Sequence, residues 1–482
     1  MASTSRKLIT LVYCLIGTLI HVAPLSAQVS EWLTTPDRKN LLSLQPGRLH
    51  FHSSHRHAGN FAEITVEGGQ AMQSIAGFGL ALTGGSAELL MRMHPENRHA
   101  LLQEMFRVAP PAAGAGTSVG AGLSYLRVSI GSSDMNEHVF TYDDLPGVET
   151  DPELKHFSLG EDLKDVVPVL QEILKINPAI EILGTPWTAP SWMKTNGKPK
   201  GGSLRPEYYD DYARYLAEYV KQMETLGIRI AAITPQNEPL NPDNTPSMLM
   251  TAEQEDTFLK QSLGPIFRSN KVDTRIILYD HNCDRPDYPL TILADKDAAQ
   301  YADGIGFHLY AGSVAAMSQV HDAYPDKNIY FTEQMVVDDP QHGPELGIAQ
   351  PVKEIVIGAT RNWSRSVLLW NLAANPQFGP HTNDGGCPVC EGAVTLDGDT
   401  VTRNLAYYTI AQVAKFVRPG AVRISSTGGD AVPANVAFKN KDGRVILLVA
   451  NTSDKSVDFS IRFGGRVVET SLVAGAVATY VW

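Results

Sequence analysis

The sequence predicts a (β/α)8 TIM barrel carrying a β-sandwich side domain formed by both chain ends. Eight apolar, β-favouring runs alternate with helical patterns between Ile75 and Leu372, the strand-helix count of a parallel barrel. After about Gly420 the apolar period switches from helical to two, and short alternating pieces before Gly69 offer strands to complete that second sheet. Two of the barrel runs stop abruptly at a glutamate, Glu238 and Glu333, at the strand ends where such a barrel builds its active site.

Taken in order, the chain begins with Arg6 and Lys7, a nearly all-apolar run from Leu8 to Val22, and Ala23-Pro24-Leu25-Ser26-Ala27 before polar sequence. This is the build of a secretory signal peptide over residues 1–27, which would leave the protein secreted or periplasmic. An uncleaved anchor is the alternative, because Leu8 to Ala27 just reaches across a bilayer. Residues 28–72 supply the N-terminal sandwich strands, including Leu49-His50-Phe51-His52 and Ala62-Glu63-Ile64-Thr65-Val66. His50, His52, His55 and His57 crowd there without cysteines or carboxylates close in sequence, so no metal is expected.

The barrel domain, residues 73–418, starts at Ile75-Ala76-Gly77-Phe78-Gly79-Leu80-Ala81-Leu82, where glycines allow close packing. The following strands are read at Leu123 to Ile130, Glu181 to Trp187, Ile228 to Pro235, Arg275 to Asp280, Gly304 to Tyr310, Asn328 to Glu333 and Ser366 to Leu372. Of the helices between them the clearest follows Pro206, with Tyr209, Tyr212, Leu216, Val220 and Met223 at helical spacing and Gly227 as the stop. Residues 419–482 form the C-terminal part of the sandwich, about five strands with turns at Asp442-Gly443 and Gly464-Gly465.

At 482 residues the chain exceeds one ordinary domain, and a formal net charge of -12 argues against nucleic acid as the main partner. Of four cysteines, Cys14 leaves with the leader and Cys283 reads as a small buried hydrophobe. Cys387-Pro388-Val389-Cys390 reads as a short disulfide stapling a loop, with a zinc half-site or a redox motif as alternatives.

A pair of strand-end carboxyls is the minimum kit for cleaving a glycoside with retention, one protonating the leaving oxygen and one attacking carbon. Arg127 places a cation in an otherwise apolar strand, and a buried arginine must be paired, with a carboxylate nucleophile as a natural partner. Trp187 and Trp370 close the third and eighth strands, where aromatic faces can stack on a sugar; a core role is the alternative for each. His308 and Tyr310 end the sixth strand as candidates to position the nucleophile, and Asp280, His281 and Asn282 end the fifth on the same face.

The segment Thr234-Pro235-Gln236-Asn237-Glu238-Pro239 resembles the acid/base motif of the barrel glycosidases. With Phe331-Thr332-Glu333-Gln334, the chain from about Ser74 onward resembles glycoside hydrolase family 30, the family of glucosylceramidases and endo-β-1,6-glucanases. The resemblance implies a retaining β-glycosidase, with Glu333 as nucleophile, Glu238 as acid/base, Asn237 on the sugar 2-hydroxyl, Asp134 accepting from sugar hydroxyls, and no cofactor. Substrates would be a β-glucoside, a β-glucan or a glycolipid, with a β-xyloside as a further family option. Leu309, Thr83-Gly84 and the Gly385 to Cys390 loop depart from the glucosylceramidase pattern, so β-1,6-glucan stands as an equal rival to glucosylceramide. Two readings of other classes remain: a metallohydrolase using His308, Asp280 and Glu333, and a non-catalytic sugar-binding protein on the same scaffold.

Overall fold

Strand pairing closes a parallel barrel from strands taken in chain order: β1 Gly77–Leu82, β2 Tyr125–Ile130, β3 Glu181–Pro186, β4 Ala232–Ile233, β5 Arg275–Cys283, β6 Ala302–Gly312, β7 Asn328–Glu333 and β8 Ser364–Leu369. The ring shuts where Ser366 of β8 pairs with Gly77 of β1. This computed structural model describes residues 28–47, 49–53, 62–108, 120–147, 149–338, 345–430 and 432–482. The expected leader at 1–27, with His55 and His57, lies outside the described residues. Gly79 is obligatory at its place, since a Cβ there would sit 1.7 Å from the Tyr125 carbonyl oxygen of the next strand.

The period-two alternation of the strands decides what the barrel encloses. Tyr125, Leu183, Ala232, Ile277, Tyr330 and Leu368 point inward and pack together as a buried floor. Their neighbours Leu126, Ile182, Ile233, Ile276, Ile329 and Val367 join the large core under the surrounding helices. Stepping two residues up from Tyr125, Leu183, Ala232, Tyr330 and Leu368 lands on Arg127, Thr185, Thr234, Thr332 and Trp370, so the next layer is polar and aromatic on those five strands. That change of layer is where packing gives way to chemistry.

The fourth strand is shorter than expected, with paired register confined to Ala232–Ile233, while the run stays bonded to β3 through Ala231 and Thr234. The fifth and sixth extend past their expected ends to Cys283 and Gly312. The helix after Pro206 runs Tyr209–Thr225, burying Tyr212, Leu216, Val220 and Met223, and Gly227 beyond it takes φ +78°.

Both chain ends enter one antiparallel-rich sheet: Ser30 pairs with Val481, Ser74 with Val422, and Ala62 with Phe459. Among the described residues six strands follow Gly420, one more than expected. Val29, Ile64 and Val66 pack with Ile424, Leu447, Phe459 and Tyr480 inside the sandwich. Val436, Phe438, Ile446 and Leu448 instead join the barrel's outer core beside the helix Leu405–Ala414. Gln412 of that helix donates to Thr34 and accepts from Thr479, both at 2.7 Å, so its buried amide is satisfied by strands from the two chain ends.

Candidate active site

Arg127 is fully buried and organises the polar layer above the barrel floor. One arm of its guanidinium donates to Glu333 Oε2 at 2.5 Å; the other donates to Asn237 Oδ1 at 2.7 Å and Asp280 Oδ2 at 2.8 Å. A planar fork suits this task, because it pins two carboxylates and an amide from three strands in fixed relative orientation. Its flat face lies 4.9 Å from the centre of the Trp187 ring, and Trp187 and Trp370 pack on each other at 5.4 Å. Burial opposes the arginine's charge, but Asp280 and Glu333 more than compensate, and its pKa rises.

Asp280 reaches this layer because β5 breaks register between Tyr279 and His281, with positive φ at Tyr279 (72°) and Asp280 (55°). A bulge of this kind re-aims a side chain. Thr234 donates to Asp280 Oδ2 at 2.9 Å, and His308 Nε2 faces Oδ1 at 3.1 Å. Burial works against its charge, yet Arg127 and His308 hold the carboxyl well below the usual carboxylate range. Glu238 also has positive φ, 43°, and its N–H donates to the Asp280 carbonyl at 3.0 Å. Two strand ends in sparsely populated conformations thus brace each other, a cost of roughly 1–3 kcal/mol each that proteins concentrate at working sites.

The two glutamates share one histidine. His308 Nδ1 lies 3.1 Å from Glu238 Oε1 and 3.9 Å from Glu333 Oε1, so those oxygens are separated by at most the two legs laid end to end, about 7 Å. Tyr310 is 44 % exposed as a residue, but its hydroxyl turns inward to donate to Glu333 Oε1 at 3.0 Å and accepts the Met335 N–H at 3.1 Å. Expected as a support for Glu333, His308 sits nearer to Glu238 and contacts it directly.

Burial disfavours the Glu238 charge, but His281, whose Nδ1 lies 3.7 Å from Oε1, and His308, within hydrogen-bond distance at 3.1 Å, hold its pKa well below the ordinary value. Burial lowers His308 in turn, and Glu333, Asp280 and Glu238 outweigh it, pushing the imidazole up to about 9. Asp134 is pushed up to about 7 by burial and by Glu333, with Glu238 adding and an Asn244 hydrogen bond offsetting part.

These side chains line a cavity of about 640 Å³ at the C-terminal mouth of the barrel. Asp134, Trp187, Asn237, Glu238, Tyr310, Glu333 and Trp370 all border it, whereas Arg127 and His308 lie beneath. Trp187 and Trp370 are 2 % and 3 % exposed, so they offer an edge to the cavity and spend most of their area in the core. Sequence reasoning did not single out Asn241, which donates to Glu238 Oε2 at 2.8 Å, nor Asn244, Met335 and the threonines under Asp280. Asn241 follows Glu238 by three positions inside a Pro/Asn-rich turn, the one local signal that could have found it.

A metal ion fits this donor set poorly. Glu238, His281 and His308 do present atoms within 4.8 Å of one another. Yet both ring nitrogens of His308 face carboxylates, Glu238 on one side and Asp280 on the other, which keeps the ring protonated without a lone pair to give. Asp280 is likewise committed to Arg127 and Thr234. The two cysteines of the loop after β8, Cys387 and Cys390, are joined as a disulfide on the cavity wall, and Cys283 is buried and free.

Comparison with known proteins places this geometry in context. Residues 75–417 match the family model described as the glycosyl hydrolase family 30 TIM-barrel domain, and residues 420–480 match its β-sandwich domain. An endo-1,6-β-D-glucanase of Aspergillus fumigatus is 32% identical over 409 residues, covering 80% of each chain. The lysosomal acid glucosylceramidase of Mus musculus is 26% identical over 450 residues, covering 87% of this chain and 83% of that one. A solved endo-β-1,6-glucanase superposes with a TM-score of 0.84 at 33% identity, covering 94% of this chain and 99% of the other.

Proposed function

Given that the chain belongs to glycoside hydrolase family 30, a family of retaining glycosidases, we propose that Glu333 is its nucleophile, Glu238 its acid/base and a β-1,6-glucan its substrate. The observation that carries the mechanistic assignment is the shared histidine, which brings the two carboxyls within about 7 Å across one cavity, compatible with the roughly 5 Å of double displacement. Glu333 is fixed by Arg127 and Tyr310, donors that hold a carboxylate ionised and aimed. Asn237, held by Arg127, borders the cavity one residue before the acid, where it would bond the 2-hydroxyl.

The acid needs a proton when the glycosidic bond breaks, and the resting site stores one at His308, 3.1 Å from Glu238 Oε1. Sugar binding expels water and raises the cost of a bare carboxylate on Glu238, drawing that proton across. After departure of the leaving group, Glu238 is again a carboxylate and activates the water that releases the sugar from Glu333.

Two observations favour a glucan over a glycolipid. Around the glutamates the cavity wall carries Asn241, Asp243, Asn244 and Asn282 interleaved with Leu240, Pro242 and Met335, a mix of hydroxyl-binding groups and small apolar faces suited to a sugar more than to an acyl chain. The endo-1,6-glucanases of Aspergillus fumigatus, Trichoderma harzianum and Neurospora crassa match at 31–32% identity, above the glucosylceramidases. We also propose export through the apolar leader, which mass spectrometry of the mature protein would check as an N-terminus at Gln28. Among the described residues no helix is long and apolar enough to cross a membrane.

The test is a panel of linear β-1,6-glucan, β-1,3-glucan, β-xylosides and glucosylceramide, with the first-released anomer read by NMR. Turnover of the 1,6-glucan with initial β product is expected. Preferential cleavage of glucosylceramide would overturn the substrate, and initial α product the mechanism. Glu238→Gln is expected to slow glucan cleavage by on the order of 10²–10⁴-fold, while an aryl β-glucoside with a good leaving group keeps its glycosylation rate. The same variant should lose the alkaline fall of kcat/KM on the aryl substrate, because the proton whose loss causes it is no longer used.

A further inference from the structure

The loop after β8 does more than border the cavity. Thr382 donates its N–H to the Asp134 carbonyl at 2.7 Å and its hydroxyl to the Thr245 carbonyl at 2.8 Å. Gly385, with φ +80°, lies so close to the loop after β4 that a Cβ would fall 2.3 Å from the Asp243 carbonyl oxygen. At the other end, Cys390 Sγ and Cys387 Sγ approach Met335 Sδ at 3.3 and 3.9 Å. Met335 follows Glu333 by two residues, and its N–H anchors the Tyr310 hydroxyl. Residues 382–390 therefore run from the loops after β2 and β4 to the loop after β7, fastened at both ends.

The exposed ion pair Lys200–Asp384 adds little to this fastening, being well solvated. What fixes the far end is the disulfide, which with Ala81, Met135, Trp187 and Trp370 forms one apolar cluster backed by Met335. Gly385, Gly386, Cys387 and Cys390 all face the same cavity as the glutamates. A wall of side-chain-free backbone and polarisable sulfur can lie flat against the C–H face of a pyranose and donate or accept at its hydroxyls.

We propose that residues 382–390 are a specificity strap: the Cys387–Cys390 disulfide holds them as the wall of a subsite for the glucosyl unit adjoining the one that reacts. The assignment rests on the glucan reading above. Among the described residues no hydrogen bond joins the strap to either glutamate, so it governs the grip on a chain rather than the bond-breaking step. Opening the disulfide frees residues 386–390 from Met335, and the second sugar loses its wall.

The experiment compares linear β-1,6-glucan with an aryl β-glucoside, whose planar aglycone brings no second sugar and no second set of hydroxyls to the strap, using the intact protein, the protein reduced with a phosphine, and Cys387→Ser/Cys390→Ser. Reduction is confirmed by thiol titration and folding by the unfolding midpoint. KM for the glucan is expected to rise by about 10-fold or more, with kcat/KM for the aryl substrate within about 2-fold, as loss of a binding contact predicts. Reoxidation should restore the original KM. Gly385→Ala, which displaces the strap with the disulfide intact, should give the same split. Unchanged glucan KM in the verified reduced, folded protein overturns the strap, as does an equal fall on both substrates. Absence of glucan turnover by the intact protein instead removes the glucan reading, and is seen before any variant is made.

Discussion

Glu333→Gln is expected to lower kcat by on the order of 10⁴-fold or more on every substrate, good leaving group or poor, because with Glu333 as the proposed nucleophile both chemical steps pass through its carboxylate. The substitution is nearly isosteric, so the geometry around it survives. The amide oxygen can still accept from Arg127 in place of Oε2, the NH2 that replaces Oε1 can donate to the Tyr310 hydroxyl oxygen, and Asp280 still neutralises the arginine. Folding should therefore be preserved while turnover is not. A merely structural role would show the reverse. Glu333→Gly sharpens the test: azide occupying the vacated space would attack an activated aryl β-glucoside from the nucleophile's face. Restored rate with an α-glucosyl azide as product places Glu333 at the anomeric carbon. Retention of even a few per cent of glucan activity by Glu333→Gln would exclude it.

The contrast with Glu238→Gln separates the two glutamates, which in the sequence only the family resemblance, and not the residues around them, told apart. Both end apolar runs, and the two runs look alike to any propensity argument. What distinguishes them is their surroundings, two histidines at Glu238 against an arginine and a tyrosine at Glu333, which come from strands far apart in the chain. The barrel was legible because eight alternations of period and composition repeat the same local rule. Arg127 was legible because a cation in a buried strand violates that rule and so demands a partner. Asn241, Asn244 and Met335 were not, since they act through loop contacts with neither periodicity nor a fixed spacing to reveal them. The fourth strand was overread for the opposite reason: Ile228 to Ile233 is β-favouring throughout, but a closing barrel leaves paired register only at its last two residues.

Arg127→Leu is expected to be the most destabilising single change in the site, since it leaves two buried carboxylates facing an apolar side chain. Removing one partner of a buried ion pair typically costs about 3–5 kcal/mol. Here His308 remains on the second oxygen of Asp280, and Tyr310 remains on Glu333, so the loss should fall near the lower figure. The pH dependence follows from Asp280. Its folded pKa is depressed, so its contribution to stability is present above the unfolded value and is lost as pH falls toward the folded one. In Arg127→Leu that depression shrinks, and the stability gap between the two proteins should be widest at neutral pH and narrow below about pH 4. Denaturant unfolding at several pH values measures this. A gap independent of pH would mean that the arginine acts through packing on Trp187 rather than through charge. Pairing the change with Asp280→Asn completes the argument, because removing the uncompensated acid as well should recover part of the loss. Strict additivity of the two losses would show that these residues are not a coupled pair.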